Sequence, residues 1–309
     1  MEILISAIVC THNRPEFLTK AVQSLLDQTL SGEKYEIIVI DNASSDNTRS
    51  VFDRQYSHVA NIRYYFEPRL GLSCAKNSGW KNARAPIVAF LDDDAIAPTD
   101  WLQKIIEAFD TADRKVACVG GRVDPIWEAP RPSWLTKEIE NYLGLINYSE
   151  SPFFTPHIIG CNCSYRKEAL EEMGGFNIHL GRVGKALLSG EETLLQLSLE
   201  EKGYLSLYHP YVKVRHYIPK ERLNKKYFIR LAFRFGVTSV LVGFYLKRPS
   251  LLRRLRTVMR YIKELFSDPG VISYSLHFLT GKRSFSKECA IVVKLGRVFE
   301  SVMVIFKRV

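Results

Sequence analysis

The first ninety residues alternate short apolar runs with helical patterns, and the apolar runs end in polar loops. Residues 3–10 are rich in Ile and Val, as in a strand buried on both faces. The turn Thr11-His12-Asn13-Arg14-Pro15 closes that run, and Leu18, Val22, Leu25 and Leu26 then recur at helical spacing. Residues 36–40 form a second strand closed by the loop 41–46, where Asp46 or Asn47 can cap a helix. A third strand over 62–66, a helix over 72–83 and a fourth strand over 87–91 complete the series. This repetition predicts a mostly parallel sheet with helices on both faces, a Rossmann-like α/β arrangement. Ligands of such sheets bind at the carboxyl ends of the strands, which singles out the loops 11–15, 41–46 and 92–94.

The middle of the chain is less regular. A strand over 116–123 leads into a loop containing Pro125, Trp127, Pro130, Pro132 and Trp134, long enough to be a lid or an acceptor wall. A strand over 158–165, a helix over 167–173 stopped by Gly174-Gly175, a helix over 191–202 stopped by Gly203 and a strand over 211–216 follow.

Three adjacent carboxylates, Asp92-Asp93-Asp94, stand directly after the fourth strand. Their mutual repulsion favours a bound cation, and oxygen ligands suit Mg²⁺ or Mn²⁺ with positions left for phosphate. The alternative is a solvated acidic turn. Asp41 and Asn42 end the second strand and offer either base recognition or a loop-closing turn. Thr11 and Asn13 offer hydrogen bonds from the first strand's end. Glu191 and Glu192 open a helix, where a carboxylate is favoured electrostatically and one of the two can serve as a general base. His216 ends the last strand as a packed side chain or a ligand for Mn²⁺.

Taken in order, AIVCTHNRPEFLTKAVQSLLDQ, YEIIVIDNASSDNT, GLSCAKNSGW, IVAFLDDDAIAPTDWL, IGCNCSYRKEALEEMGGFN and SGEETLLQLSLEEKGY resemble the inverting family 2 glycosyltransferases of the GT-A fold. The resemblance implies transfer of a sugar from a nucleotide diphosphate donor, a UDP-sugar, to an acceptor hydroxyl on a saccharide or lipid-linked saccharide. It implies that Thr11, Asn13, Asp41 and Asn42 hold the nucleoside, with Lys76 and Asn77 near its base or phosphates. Asp92 would touch the ribose, Asp94 the metal, and Asp93 would lie between them. Glu192 matches the family's usual catalytic aspartate, Glu191 its acidic neighbour, and His216 a further metal ligand of some members. Two departures stand out: Glu192 is one methylene longer than the usual Asp, and Lys76 replaces an Arg that binds phosphate bidentately. A nucleotidyltransferase is the rival enzyme, but its Gly-rich phosphate loop is missing from 11–15. A non-catalytic nucleotide-sugar scaffold is the rival binding module.

Charge divides the chain at residue 219. From residue 220 onward there are 20 Lys and Arg against five Asp and Glu, so the preceding body carries a net −5 of the total +10. A basic tail on an acidic body points to an anionic surface rather than to nucleic acid. Arg253, Arg254, Arg256 and Arg260 interleave with Leu251, Leu252, Leu255, Val258 and Met259, the composition of an amphipathic helix on a membrane surface. We therefore expect a GT-A domain over 1–219 and a basic helical extension over 220–309, either membrane-associating or simply packed on the domain. The uncharged stretches 235–246 and 269–281 fall short of the ~18 residues that span a bilayer. The N-terminus lacks the basic region of a signal peptide, so a cytoplasmic protein, or one peripheral on the cytoplasmic face, is expected. The six scattered cysteines read as reduced thiols, without a zinc-binding spacing.

Overall fold

Buried apolar strands set the frame, because a strand with no solvent-facing side must have neighbours on both faces. The computed structural model describes residues 2–184, 186–267 and 284–307. Its first half runs β1 (Ile5–Thr11), α1 (Pro15–Leu26), β2 (Tyr35–Asn42), α2 (Thr48–Tyr56), β3 (Ile62–Glu67), α3 (Leu72–Asn82), β4 (Ile87–Asp92), β5 (Ala95–Ile96) and α4 (Trp101–Thr111). Next come β6 (Val116–Trp127), α5 (Lys137–Glu140), β7 (Phe153–Phe154), β8 (Asn162–Arg166), α6 (Lys167–Met173), α7 (Glu191–Glu201) and β9 (Leu205–Ile218). Three further helices close the described chain: α8 (Lys225–Lys247), α9 (Leu251–Phe266) and α10 (Phe285–Met303).

The strands form one mixed sheet in the order β3-β2-β1-β4-β8-β6-β9-β5, with β7 also paired to β9. β3, β2, β1 and β4 are parallel, as their strand–helix alternation requires. β8 then runs antiparallel to both β4 and β6, and β5 and β7 run antiparallel to β9. β1 and β2 are buried along almost their whole length, and α1 and α3 pack on them. The consequence for function is a row of loops at the ends of β1, β2 and β4, which share one edge because those strands point the same way.

Two compact units divide the chain. The sheet unit comprises the chain up to Ile126, Gly144–Gly184 and Glu191–Tyr217. The helical unit takes Trp127–Leu143, residues 186–190 and the described residues from Ile218 on. The partition expected at 219 is thus interleaved: two inner segments group with the helices. Trp134 shows why, since its ring meets Phe228 and Phe285 edge to face at 5.1 and 5.0 Å. The sequence offered that tryptophan to a lid or acceptor wall. The structure makes it a packing residue of the helical unit.

Within the helical unit, α8 and α10 cross at a pair of glycines. A Cβ on Gly236 would lie 2.0 Å from the Val293 carbonyl oxygen, and one on Gly296 2.2 Å from that of Phe233. Only glycine permits so close a backbone approach. Arg254 of α9 donates to the carbonyls of Val304 (3.0 Å) and Lys307 (2.7 Å), satisfying the chain end that follows α10. α8 is 23 residues and, by length and composition alone, long and apolar enough to cross a membrane. The uncharged count over 235–246 had stopped short of this because Arg230 and Arg234 interrupt the run. Half of its most apolar window is buried, which fits the core helix of a bundle as well. The stretch 269–281 lies outside the described residues.

Candidate active site

β4 ends at Asp92, and the chain turns at once into the two-residue strand β5. β5 pairs with β9 so that Ala95 faces His216 and Ile96 faces Arg215. Backbone pairing continues one step further, with the Tyr217 amide donating to the Asp94 carbonyl at 2.8 Å. This short pairing brings His216, 122 residues away in sequence, within 3.0 Å of the Asp94 carboxylate. Ligand atoms of Asp92, Asp94 and His216 lie within 4.8 Å of one another.

Asp93 is organised differently from its neighbours. It accepts from Thr11 Oγ1 at 2.8 Å and from Arg14 Nη1 at 2.6 Å, and Arg14 also reaches Asp94 Oδ2 at 3.1 Å. Burial pushes the Asp93 carboxyl up, with Arg14 pulling against it and Asp94 adding to it. Burial likewise raises Asp92, offset by Lys76 and reinforced by Asp94. Arg14 was not among the sequence candidates. A lone arginine in a polar turn reads as solvated, and only the sheet order places β1's turn beside β4's.

The loops after β1 and β2 are tied together. Asn13 sits at a positive φ of 53°, which asparagine tolerates, and its Oδ1 accepts from the amides of Ser45 (2.8 Å) and Asp46 (3.2 Å). Asp41 accepts from the Ser44 amide and from the Tyr64 hydroxyl. Asn42 donates to the carbonyls of Glu67 and Arg69 and accepts from the Gly71 amide, so its side chain closes the β3–α3 connection. Asn77 donates to the Phe176 carbonyl and accepts from the Phe176 amide and Trp80 Nε1. For Asn42 and Asn77, which the resemblance assigns to the nucleotide, the bonds observed are to the protein's own loops. Thr11 and Asp93 are likewise engaged with each other.

A second acidic group lies at the start of α7. Lys76, on α3, is 1% exposed. Its ammonium forms a close ion pair with Glu192 Oε1 and stands 3.5 Å from Glu191 Oε1. Gln196, one turn further along α7, holds the backbone of Ile158 through both its amide atoms at 2.8 and 2.9 Å. That clamp sets the loop before β8 against the glutamates. Glu191 is 2% exposed, its Oε2 has no hydrogen-bond partner, and burial beside the Glu192 charge pushes its carboxyl up to about 8. Burial acts on Glu192 in the same sense, but the Lys76 ammonium overrides it and holds that carboxyl below its ordinary range. The pair therefore carries one proton and one negative charge near neutrality.

Asp92, Asp94 and His216 fit a divalent cation: two hard carboxylates and one imidazole are donors suited to Mn²⁺. Their neighbour Arg14 places a cation where that charge is called for. Among the described residues no other grouping of this kind occurs, and Cys161 and Cys163 are buried free thiols pushed up by burial.

Residues 6–174 match the family model for glycosyl transferase family 2. The chain is 25% identical over 283 residues to a glucosyl-dolichyl phosphate glucuronosyltransferase of Haloferax volcanii, covering 86% of this chain and 88% of that protein. Its fold is similar to a mannosyltransferase from Pyrobaculum calidifontis solved with GDP-Man and Mn²⁺, with a TM-score of 0.64 and 18% identity over 98% of this chain and 88% of the other. It is similar also to GalNAc-T7 solved with UDP, GalNAc and Mn²⁺, with a TM-score of 0.57 and 18% identity over 77% and 50% of the two chains.

Proposed function

The chain belongs to glycosyl transferase family 2 and has the GT-A fold, and we propose that it transfers a glycosyl group, with inversion, from a UDP-sugar to a hydroxyl of a lipid-carried saccharide. The observation that carries this reading is the meeting of Asp92, Asp94 and His216 at the sheet edge, with a buried glutamate pair in the same unit. Asp92, Asp94 and His216 would hold Mn²⁺ or Mg²⁺, which supplies charge neutralisation for a departing diphosphate when bound. Asp93, Thr11 and Arg14 fix the carboxylates that face it. Asp41 and Asn13, at the ends of β2 and β1, shape the loops where the nucleoside would lie.

Glu192 is the general base of this proposal. The acceptor oxygen bonds to the anomeric carbon as the bond from that carbon to the diphosphate oxygen breaks. The electron pair leaves on the diphosphate, and the hydroxyl proton passes to Glu192. Displacement in one step inverts the anomeric centre. The relative that acts on a dolichyl phosphate glycoside and spans nearly the whole chain supports a lipid-linked acceptor. The basic surface of α9 supports association with the anionic face of a membrane.

The Glu192→Gln variant tests the assignment. We expect transfer to fall on the order of 10³-fold while donor affinity stays within about twofold of wild type. The released product distinguishes this reaction from nucleotidyl transfer, being a nucleoside diphosphate rather than pyrophosphate. Substantial transfer by the Gln variant would place the base elsewhere.

A further inference from the structure

Lys76 is an ammonium in the protein interior, and its surroundings account for it more fully on the acceptor side of the reaction than on the donor side. The residue lies on α3 between the rings of Phe90 and Phe176, which stand 6.0 and 5.5 Å from Nζ. A buried ammonium is stable only when paired, and its partners here are Glu192 and Glu191. A second constraint acts on the same carboxylate. A Cβ on Gly160 would lie 2.0 Å from Glu192 Oε1 and 3.1 Å from Lys76 Nζ, so the glutamate rests against bare backbone. Gln196 holds that loop in place through Ile158.

We infer that Lys76 is a positioning residue for acceptor activation: with Gly160 it holds the Glu192 carboxylate in one place and keeps it ionised. This inference rests on Glu192 being the base. It moves Lys76 away from the donor phosphates, where the resemblance of its motif would put it. Charge balance supports the assignment, since one ammonium offsets one carboxylate while Glu191 stays protonated near neutrality. The other titratable groups acting on this cluster are Cys10 of β1, Asp92 of β4, Cys118 of β6, Cys161 before β8, and Cys163 and Tyr165 of β8. Burial keeps the four thiols and the phenol neutral, leaving Lys76 as the dominant opposing charge. Holding a base below its ordinary range weakens its proton affinity but guarantees that it is unprotonated wherever the enzyme works.

The test is the pH dependence of kcat at saturating donor, together with the donor KM, for wild type, Lys76→Met and Lys76→Arg. Without the ammonium, Glu192 ionises at higher pH, so the acidic limb of the Met variant should move up by about one unit or more. Relative to wild type, its rate one unit below its own limb should then fall about fivefold or more further than at about pH 9. Lys76→Arg keeps the charge, so its limb should stay in place, with kcat lowered by the altered reach and donor KM changed less than about twofold. A Met variant whose limb coincides with wild type would overturn the inference. So would an Arg variant that raises donor KM and leaves kcat intact, because that pattern puts Lys76 on the diphosphate. Should the Met variant fail to fold, the kcat and KM split in the Arg variant decides alone. Loss of transfer in Glu192→Gln with an unmoved limb in Lys76→Met removes only this inference, whereas an active Gln variant removes the base assignment beneath it.

Discussion

Three consecutive aspartates divide their work because the chain leaves β4 at Asp92 and turns through Asp93-Asp94 into β5, so their side chains diverge. Asp92 and Asp94 meet His216, while Asp93 faces Thr11 and Arg14. The two glutamates of α7 divide in the same way, one protonated and one ionised. For Glu191 this has a sign that can be measured. Its folded carboxyl titrates at about 8, above the unfolded range, so the folded state holds a proton that the unfolded chain has released. Stability from this group is full at acid pH and is lost as pH rises through about 8. We predict that Glu191→Gln flattens the decline of Tm between about pH 5 and pH 8.5, gaining roughly 2–4 °C on wild type at the upper end. Parallel melting curves for the two proteins would count against a protonated Glu191. The aspartates were legible in the sequence because the carboxyl end of a parallel strand is where such sheets bind ligands, and the glutamates because the stretch around them resembles a family motif. Arg14, Tyr64 and Gly160 were not, since each acquires its role only from a neighbour distant in sequence.

At the scale of elements, periodicity located the parallel half of the sheet to within a residue or two. The antiparallel half was harder to read. β9 runs over 14 residues, yet the sequence suggested only 211–216, because His209 and Pro210 interrupt its alternation. β5 has two residues, too few for any pattern, although it is the pairing that carries His216 to Asp94. The tight crossing of α8 and α10 was equally hidden, since a single glycine in a helix reads as a weak position. Here Gly236 and Gly243 give a controlled comparison. A methyl group on Gly236 meets backbone on α10, whereas one on Gly243 meets nothing within 4 Å. We predict that Gly236→Ala destabilises by about 1–3 kcal/mol through overpacking, while Gly243→Ala is neutral or stabilising by up to about 1 kcal/mol. Denaturant melts of both variants check this, and equal effects would refute the close crossing.

For the molecule as a whole, charge is distributed by unit: the acidic cluster and glutamate pair belong to the sheet unit, and α8, α9 and α10 with their basic residues to the helical one. On α9, Leu251, Leu255, Met259 and Phe266 follow one exposed face, and Arg253, Arg256, Arg260 and Lys263 a neighbouring one. Arg254 is the exception in that cluster, turned inward to the carbonyls after α10. We predict that the protein sediments with anionic vesicles at low salt, and that changing Arg253, Arg256, Arg260 and Lys263 to Glu leaves it in the supernatant. Wild-type protein that stays in solution with such vesicles would argue that these charges are merely solvated. The proposed activity rests on the other unit, and there calorimetric titration of a UDP-sugar into wild type and Asp94→Asn, each with and without Mn²⁺, is the most direct test. The account predicts donor binding that needs the metal in wild type and is weakened at least tenfold by the substitution. Equal donor affinity with and without Mn²⁺, unchanged in Asp94→Asn, would contradict it.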